Sequence, residues 1–175
     1  MEIVWRAFEL RPDPVPTLDP KGEYLRNAWR NGVYPLAAKL AIPIKLPPLQ
    51  PRSRLAHEAA HWARSQGRFD DYQGEVFRAF FERGEDIGDI DFLISLAAKL
   101  ELDAESLRQA LADHAFLPTV IQDEQQAQLL GISGVPAFIA ARRFALNGVH
   151  PIENLSKLVS HVRSQTSTKE TPLLN

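Results

Sequence analysis

Apolar positions open this chain in a nearly continuous run, Ile3-Val4-Trp5-Arg6-Ala7-Phe8-Glu9-Leu10, interrupted only by Arg6 and Glu9. Such a run with partial alternation predicts a β-strand covered over most of its surface, with neighbouring strands on both sides. Arg11 to Pro20 then carries Pro12, Pro14, Pro16 and Pro20, and Pro43, Pro47, Pro48 and Pro51 follow further on. Proline fixes φ and removes an amide donor, so the first stretch predicts an exposed extended loop and the second a rigid connector.

Between and after these loops the apolar spacing becomes helical. From Glu23 to Leu40 it falls on Leu25, Ala28, Trp29, Leu36, Ala37 and Leu40, interrupted by Gly32 and Pro35, which predicts a broken or two-part helix. Ser53 is a candidate cap for a helix running to Gln66, with Gly67 as its left-handed stop. A further helix spans Phe69 to Arg83, with Val76, Phe77, Phe80 and Phe81 as its stripe and Gly84 as its end. Asp89 and Asp103 cap two more, burying Leu93, Leu96, Ala97 and Leu100 in one and Leu107, Ala110 and Leu111 in the other. The last of this group runs from Leu117 to Leu130 and closes at Gly131.

Pro136 to Ala141 and Arg143 to Asn147 are short apolar runs that predict an antiparallel hairpin, and Pro151 starts an amphipathic helix with stripe Ile152, Leu155, Leu158, Val159 and Val162. The end of the chain is polar, so residues 165–175 read as a flexible tail and residues 1–164 as one domain, helical over about 22–130.

Composition narrows the function classes. At 175 residues and 45% hydrophobic content, one core is the natural outcome. Lys plus Arg (20) nearly balance Asp plus Glu (22), so no field of one sign directs the chain to nucleic acid or an anionic membrane. No apolar run reaches the roughly 20 residues that span a bilayer, and the N-terminus lacks the basic-then-apolar order of a secretory signal, which makes the cytoplasm the expected location. There is no Cys. Disulfides, thiolate metal sites and a cysteine nucleophile are therefore excluded for this sequence.

One short motif carries possible metal chemistry. His57-Glu58-Ala59-Ala60-His61 matches H-E-x-x-H, which on a helix sets two imidazoles on one face for Zn²⁺ and leaves the Glu to activate a bound water, the basis of a zinc hydrolase. On a wheel of about 100° per residue, Leu55, Ala56, Ala59, Ala60, Trp62 and Ala63 share one face, while His57 and His61 fall opposite beside Arg54 and Arg64. Those cations would crowd a metal, and His114, His150 and His161 stand at no recognisable third-ligand spacing. The favoured reading is two solvated surface histidines and no metal, with a site at His57, Glu58 and His61 as the alternative.

The second motif is Gly131-Ile132-Ser133-Gly134-Val135-Pro136-Ala137-Phe138-Ile139, a glycine-punctuated turn into a strand. It resembles the Gly-Val-Pro loop of thioredoxin-fold proteins, whose peptide before Pro is cis and exposes backbone for an extended peptide or glutathione to pair with. The runs Ala56-His57-Glu58-Ala59-Ala60, Trp62-Ala63, Gly67-Arg68, Val76 to Phe81 and Gly84 to Asp89 resemble the DsbA-like family. The nearest resemblance is to its cytoplasmic branch, with the 2-hydroxychromene-2-carboxylate isomerases and kappa-class glutathione transferases.

This resemblance implies an α/β, thioredoxin-like fold with a helical insertion, in the family of thiol-disulfide oxidoreductases. It implies a substrate-binding loop at Gly134, Val135 and Pro136, no resident cofactor, and glutathione or an extended peptide as ligand. The family's first strand and its Cys-x-x-Cys helix have no counterpart here, so the chain reads as truncated by about 30 residues, most of a βαβ unit. The strand at Ile3 to Leu10 would then lack a neighbour, because the absent strand would lie between it and the one starting at Ala137. A start internal to a longer protein is the favoured account; closure of the two remaining strands, or a second chain supplying the strand, are the others. No catalytic residue is assigned, and the chain should be redox-inactive. Its alternative role is a glutathione- or peptide-binding module in which Trp5, Trp29 and the Pro-rich loop assist, unless both Trp residues are simply core. Where relatives carry Asn-Gly or Asp-Gly, the hairpin has Ala141-Arg142, which predicts a longer or strained turn.

Overall fold

The computed structural model describes residues 2–167. In chain order these form α1 (Glu23–Ala28), α2 (Tyr34–Leu40), α3 (Arg54–Ser65), α4 (Phe69–Arg78), α5 (Ile90–Lys99), α6 (Ala104–Ala112), α7 (Leu117–Leu129), β1 (Ala137–Ala140), β2 (Phe144–Asn147) and α8 (Ile152–Ser167). Among the described residues two compact units are present, one up to Gln125 and one from Gln126, with the boundary inside α7.

The core of the first unit is built around α3. Trp62, Ala59 and Ala63 pack with Tyr72 and Val76 of α4, Leu93, Leu96 and Ala97 of α5, and Leu107 and Leu111 of α6. Trp62 and Tyr72 meet edge to face at 6.3 Å, and each satisfies its polar end: Trp62 Nε1 donates to Ser106 Oγ and the Tyr72 hydroxyl to the Leu93 carbonyl.

Helix boundaries follow the residues that sequence singles out. Asp89 accepts from the Asp91 and Phe92 amides and Asp103 from the Ser106 amide. Ser53 holds the cap position of α3 without a side-chain bond. Gly67 and Gly131 end α3 and α7 at positive φ, with the Arg68 amide bonded to Ala63 O and the Ile132 amide to Ala127 O.

The interruption between α1 and α2 is not a break. Trp29–Val33 forms a wider, π-helical turn that carries the backbone from one helix into the other, and Pro35 sits in the first turn of α2. A second π turn, Ala79–Arg83, extends α4 to Gly84. There the buried stripe is Tyr72, Val76 and Ala79, whereas Phe77 is exposed and Phe80 and Phe81 are half-buried.

Ile3 to Leu10 is not a strand. Among the described residues, 2–10 make no backbone–backbone hydrogen bond. Ile3, Val4, Trp5 and Leu10 are exposed, and the buried positions are Ala7 and Glu9. Side chains take the place of a ladder: Asp123 accepts the Ala7 amide at 2.9 Å, Glu124 the Glu9 amide at 3.2 Å, and Arg64 donates to the Trp5 carbonyl at 2.8 Å. A strand is completed only by its neighbours, and the described residues offer this run helices instead.

In the second unit β1 and β2 pair antiparallel, from Ala137 opposite Asn147 to Ala140 opposite Phe144. The connection is three residues long, with Ala141 at φ 51° and Arg142 at φ 56°, both the longer loop and the left-handed strain foreseen for that dipeptide. α8 packs on β1, and the His161 ring stands edge-on to Phe144 at 4.8 Å. Ile152 is exposed rather than part of the stripe, and α8 continues to Ser167, into the stretch read as tail. The rest of that predicted tail, 168–175, lies outside the described residues.

Candidate functional site

The loop from Gly131 into β1 is built by local chemistry. Gly131 reverses the chain after α7, and Pro136 delivers it to the hairpin, where the Pro136 carbonyl accepts the Gly148 amide at 2.7 Å. The Val135–Pro136 peptide is cis. Val135 and Pro136 are exposed, and a Cβ placed on Gly134 would meet nothing within 4 Å. Neither the amide nor the carbonyl of Val135 has a hydrogen-bond partner among the described residues. The three residues read as a binding loop therefore form an open, polar backbone edge beside the start of β1.

The H-E-x-x-H segment lies differently from the wheel reading. His61 and Glu58 are buried and His57 is half-buried, so they are not solvated surface residues. α3 is covered on almost every side, and a wheel that assumes one wet face cannot see this. His61 Nε2 stands 3.1 Å from Asp123 Oδ2, and Asp123 Oδ1 pairs with Arg6 at 2.9 Å. Burial lowers the His61 pKa and opposes the pull of Asp123; burial likewise lowers that of His57. Among the described residues, no three His, Asp or Glu side chains converge to hold a metal ion. His150 bonds the Asn147 carbonyl and His161 packs on Phe144.

Two buried acids, Glu9 and Asp123, were not singled out by the sequence, and Glu58 was singled out only as part of the zinc alternative, not as a buried acid. Glu9 pairs with Arg54. Glu58 is only 1% exposed, and neither carboxylate oxygen makes a hydrogen bond; the His114 Nδ1 is 3.5 Å from Oε1. Burial raises its pKa, as it does that of Glu124. A signal for Glu58 existed, since three and four residues separate it from Leu55 and Trp62 on the same row of the helix.

Comparison with known proteins settles the family. Residues 1–160 match the model of the DSBA-like thioredoxin domain. The chain belongs to the DsbA-like family. This DsbA-like chain is 36% identical over 148 residues to the YwbO protein of Bacillus subtilis, covering 79% of the chain and 72% of YwbO. Among solved structures it resembles a probable DsbA oxidoreductase from Streptomyces coelicolor, with TM-score 0.77, 24% identity, and coverage of 97% of this chain and 77% of that one. It also resembles a 2-hydroxychromene-2-carboxylate isomerase, with TM-score 0.67, 17% identity, and coverage of 85% and 70%. The fold is accordingly α/β and thioredoxin-like, rich in helices, with a two-stranded sheet among the described residues. No helix of the described residues is long and apolar enough to cross a membrane.

Of the two Trp residues weighed as ligand contacts in this DsbA-like domain, Trp29 is buried against Tyr34 and Phe81. Trp5 is exposed beside Phe77, with ring centroids 6.5 Å apart.

Proposed function

We propose that this DsbA-like chain is a binding domain that receives an extended peptide or glutathione along the backbone of Gly134, Val135 and Pro136, without turning it over. The cytoplasm is its proposed location, as in the branch it resembles. The observation that carries the reading is Val135, exposed and with both backbone polar groups unpartnered among the described residues. An extended peptide adds to such an edge by main-chain hydrogen bonds, which need one free amide and one free carbonyl on the receiving residue. Disulfide exchange through a protein thiol needs a cysteine thiolate, and the 175-residue sequence contains no Cys.

Three measurements test the proposal. Titration of ¹⁵N-labelled protein with glutathione, and separately with a short extended peptide, should move the Val135 amide resonance saturably and leave distant amides in place. An unmoved Val135 amide, together with no retention on glutathione resin, would refute the binding role. Insulin reduction above background by the 175-residue protein would refute the absence of turnover.

A further inference from the structure

We propose that a pocket in the first unit is a binding site for an alkylammonium group, with the Glu58 carboxylate as its anchor. The inference is independent of the loop at Val135.

The pocket has a volume of about 420 Å³ and is walled by residues of α3, of the connector before it, of the turn at Asp86–Gly88, and by His114. Its cations are already engaged. Arg54 is paired with Glu9, and Arg52 holds Asp13 at 3.0 Å while donating to the carbonyls of Arg11 and Val15. Its anions are not. Asp86 accepts the Gly88 amide and makes no ion pair among the described residues. Glu58 lines the pocket with both oxygens lacking hydrogen bonds. Its one close polar neighbour, His114, sits 3.5 Å away with its side chain 59% exposed.

Buried carboxyl groups are nearly always hydrogen-bonded, and one with no hydrogen bond marks a missing donor. The donor must bring positive charge, because the unmatched charge of the pocket is negative. A metal ion is a poor fit, since no three ligating side chains converge among the described residues. An ammonium group suits the site better: it carries three N–H donors and no acceptor, and its methylene stem finds Pro51 and Leu55 on the walls. Gly88 lets this wall close up, for a Cβ there would lie 3.0 Å from Pro51 Cβ and 3.2 Å from the Arg52 carbonyl. Burial raises the Glu58 pKa, and an ammonium ion would reverse that by stabilising the carboxylate.

The test is calorimetric titration of the full chain with n-butylamine, and with n-butanol, which has the same stem and no charge. Butylamine should bind saturably, and both n-butanol and the Glu58→Gln variant should lose at least about tenfold in affinity, the worth of a charge-assisted hydrogen bond. Asp86→Asn, at an exposed turn, should weaken binding by a smaller factor and provides a variant whose folding is not at issue. Equal affinity for butanol and butylamine, no saturable binding of either, or butylamine affinity unchanged in both variants would each overturn the proposal. Parallel titrations with 1,4-diaminobutane and with N-acetyl-lysine amide then show whether the site prefers a free amine or a lysine side chain.

Discussion

Ala7 and Asp123, 116 residues apart, are joined by a 2.9 Å bond from a backbone amide to a buried carboxylate. The same carboxylate faces His61 and pairs with Arg6, so one side chain fastens the first segment to α3 and α7. Asp123→Ala removes the acceptor for all three donors and leaves two of them buried. The expected loss is about 3 kcal/mol in urea denaturation, with faster hydrogen exchange at the Ala7 amide. Asp123→Asn keeps an acceptor oxygen and should lose less. Unchanged exchange at Ala7 in the alanine variant would show that the segment is held elsewhere.

Glu58 makes the opposite prediction. Its carboxyl is pushed above the ordinary range, first by burial, with His114 and Arg54 opposing and Glu9 reinforcing the shift. A raised folded-state pKa favours the protonated form in the folded chain, so the group's stabilising contribution is present below about pH 4.5 and is lost as pH rises through the folded value. At neutral pH, Glu58→Gln should therefore stabilise the protein by about 1 kcal/mol. The gain should shrink as acid protonates the native residue. Thermal unfolding of both proteins across pH checks this, and a gain that grows toward acid would contradict it.

What the sequence discloses divides along physical lines. The caps at Asp89 and Asp103 and the stops at Gly67, Gly84 and Gly131 were legible because each depends on a residue and its immediate neighbours. The segment at Ile3 to Leu10 was not, because strand character depends on a partner remote in sequence. α3 misled for a related reason. Its polar residues imply a wet face, yet His61 and Glu58 are covered by elements that pattern alone cannot place. On α4 the aromatic spacing pointed to Phe77, whereas Tyr72 fills the core because its hydroxyl reaches the Leu93 carbonyl. Of the candidate site, the exposed turn at Gly134-Val135-Pro136 was marked by its own residues, while the pocket at Glu58, walled by residues remote in sequence, was not.

The hairpin connection carries two non-glycine residues in the left-handed region, Ala141 and Arg142. Each conformation costs about 1 kcal/mol for an L-residue with a Cβ. Arg142→Gly should recover much of one such cost, slowing amide exchange in the β1–β2 ladder by a few-fold, about 1 kcal/mol of local stability. Faster exchange would mean that the Arg142 side chain contributes more than its backbone strain removes.

Gly84 and Gly67 separate two effects that usually act together. Both have positive φ, 73° and 71°. A Cβ on Gly84 would fall 2.7 Å from Pro48 Cδ, whereas one on Gly67 would meet nothing within 4 Å. Gly67→Ala should therefore cost only the conformational penalty, about 1 kcal/mol. Gly84→Ala adds a clash with a rigid ring whose connector is tied to the same helix end by the 2.7 Å bond from the Lys45 amide to the Phe81 carbonyl. Its cost should reach about 3 kcal/mol, as overpacking does in a core. Urea denaturation of the two variants measures the difference, and equal losses would mean that the connector moves aside and that its packing on the Gly84 turn contributes little.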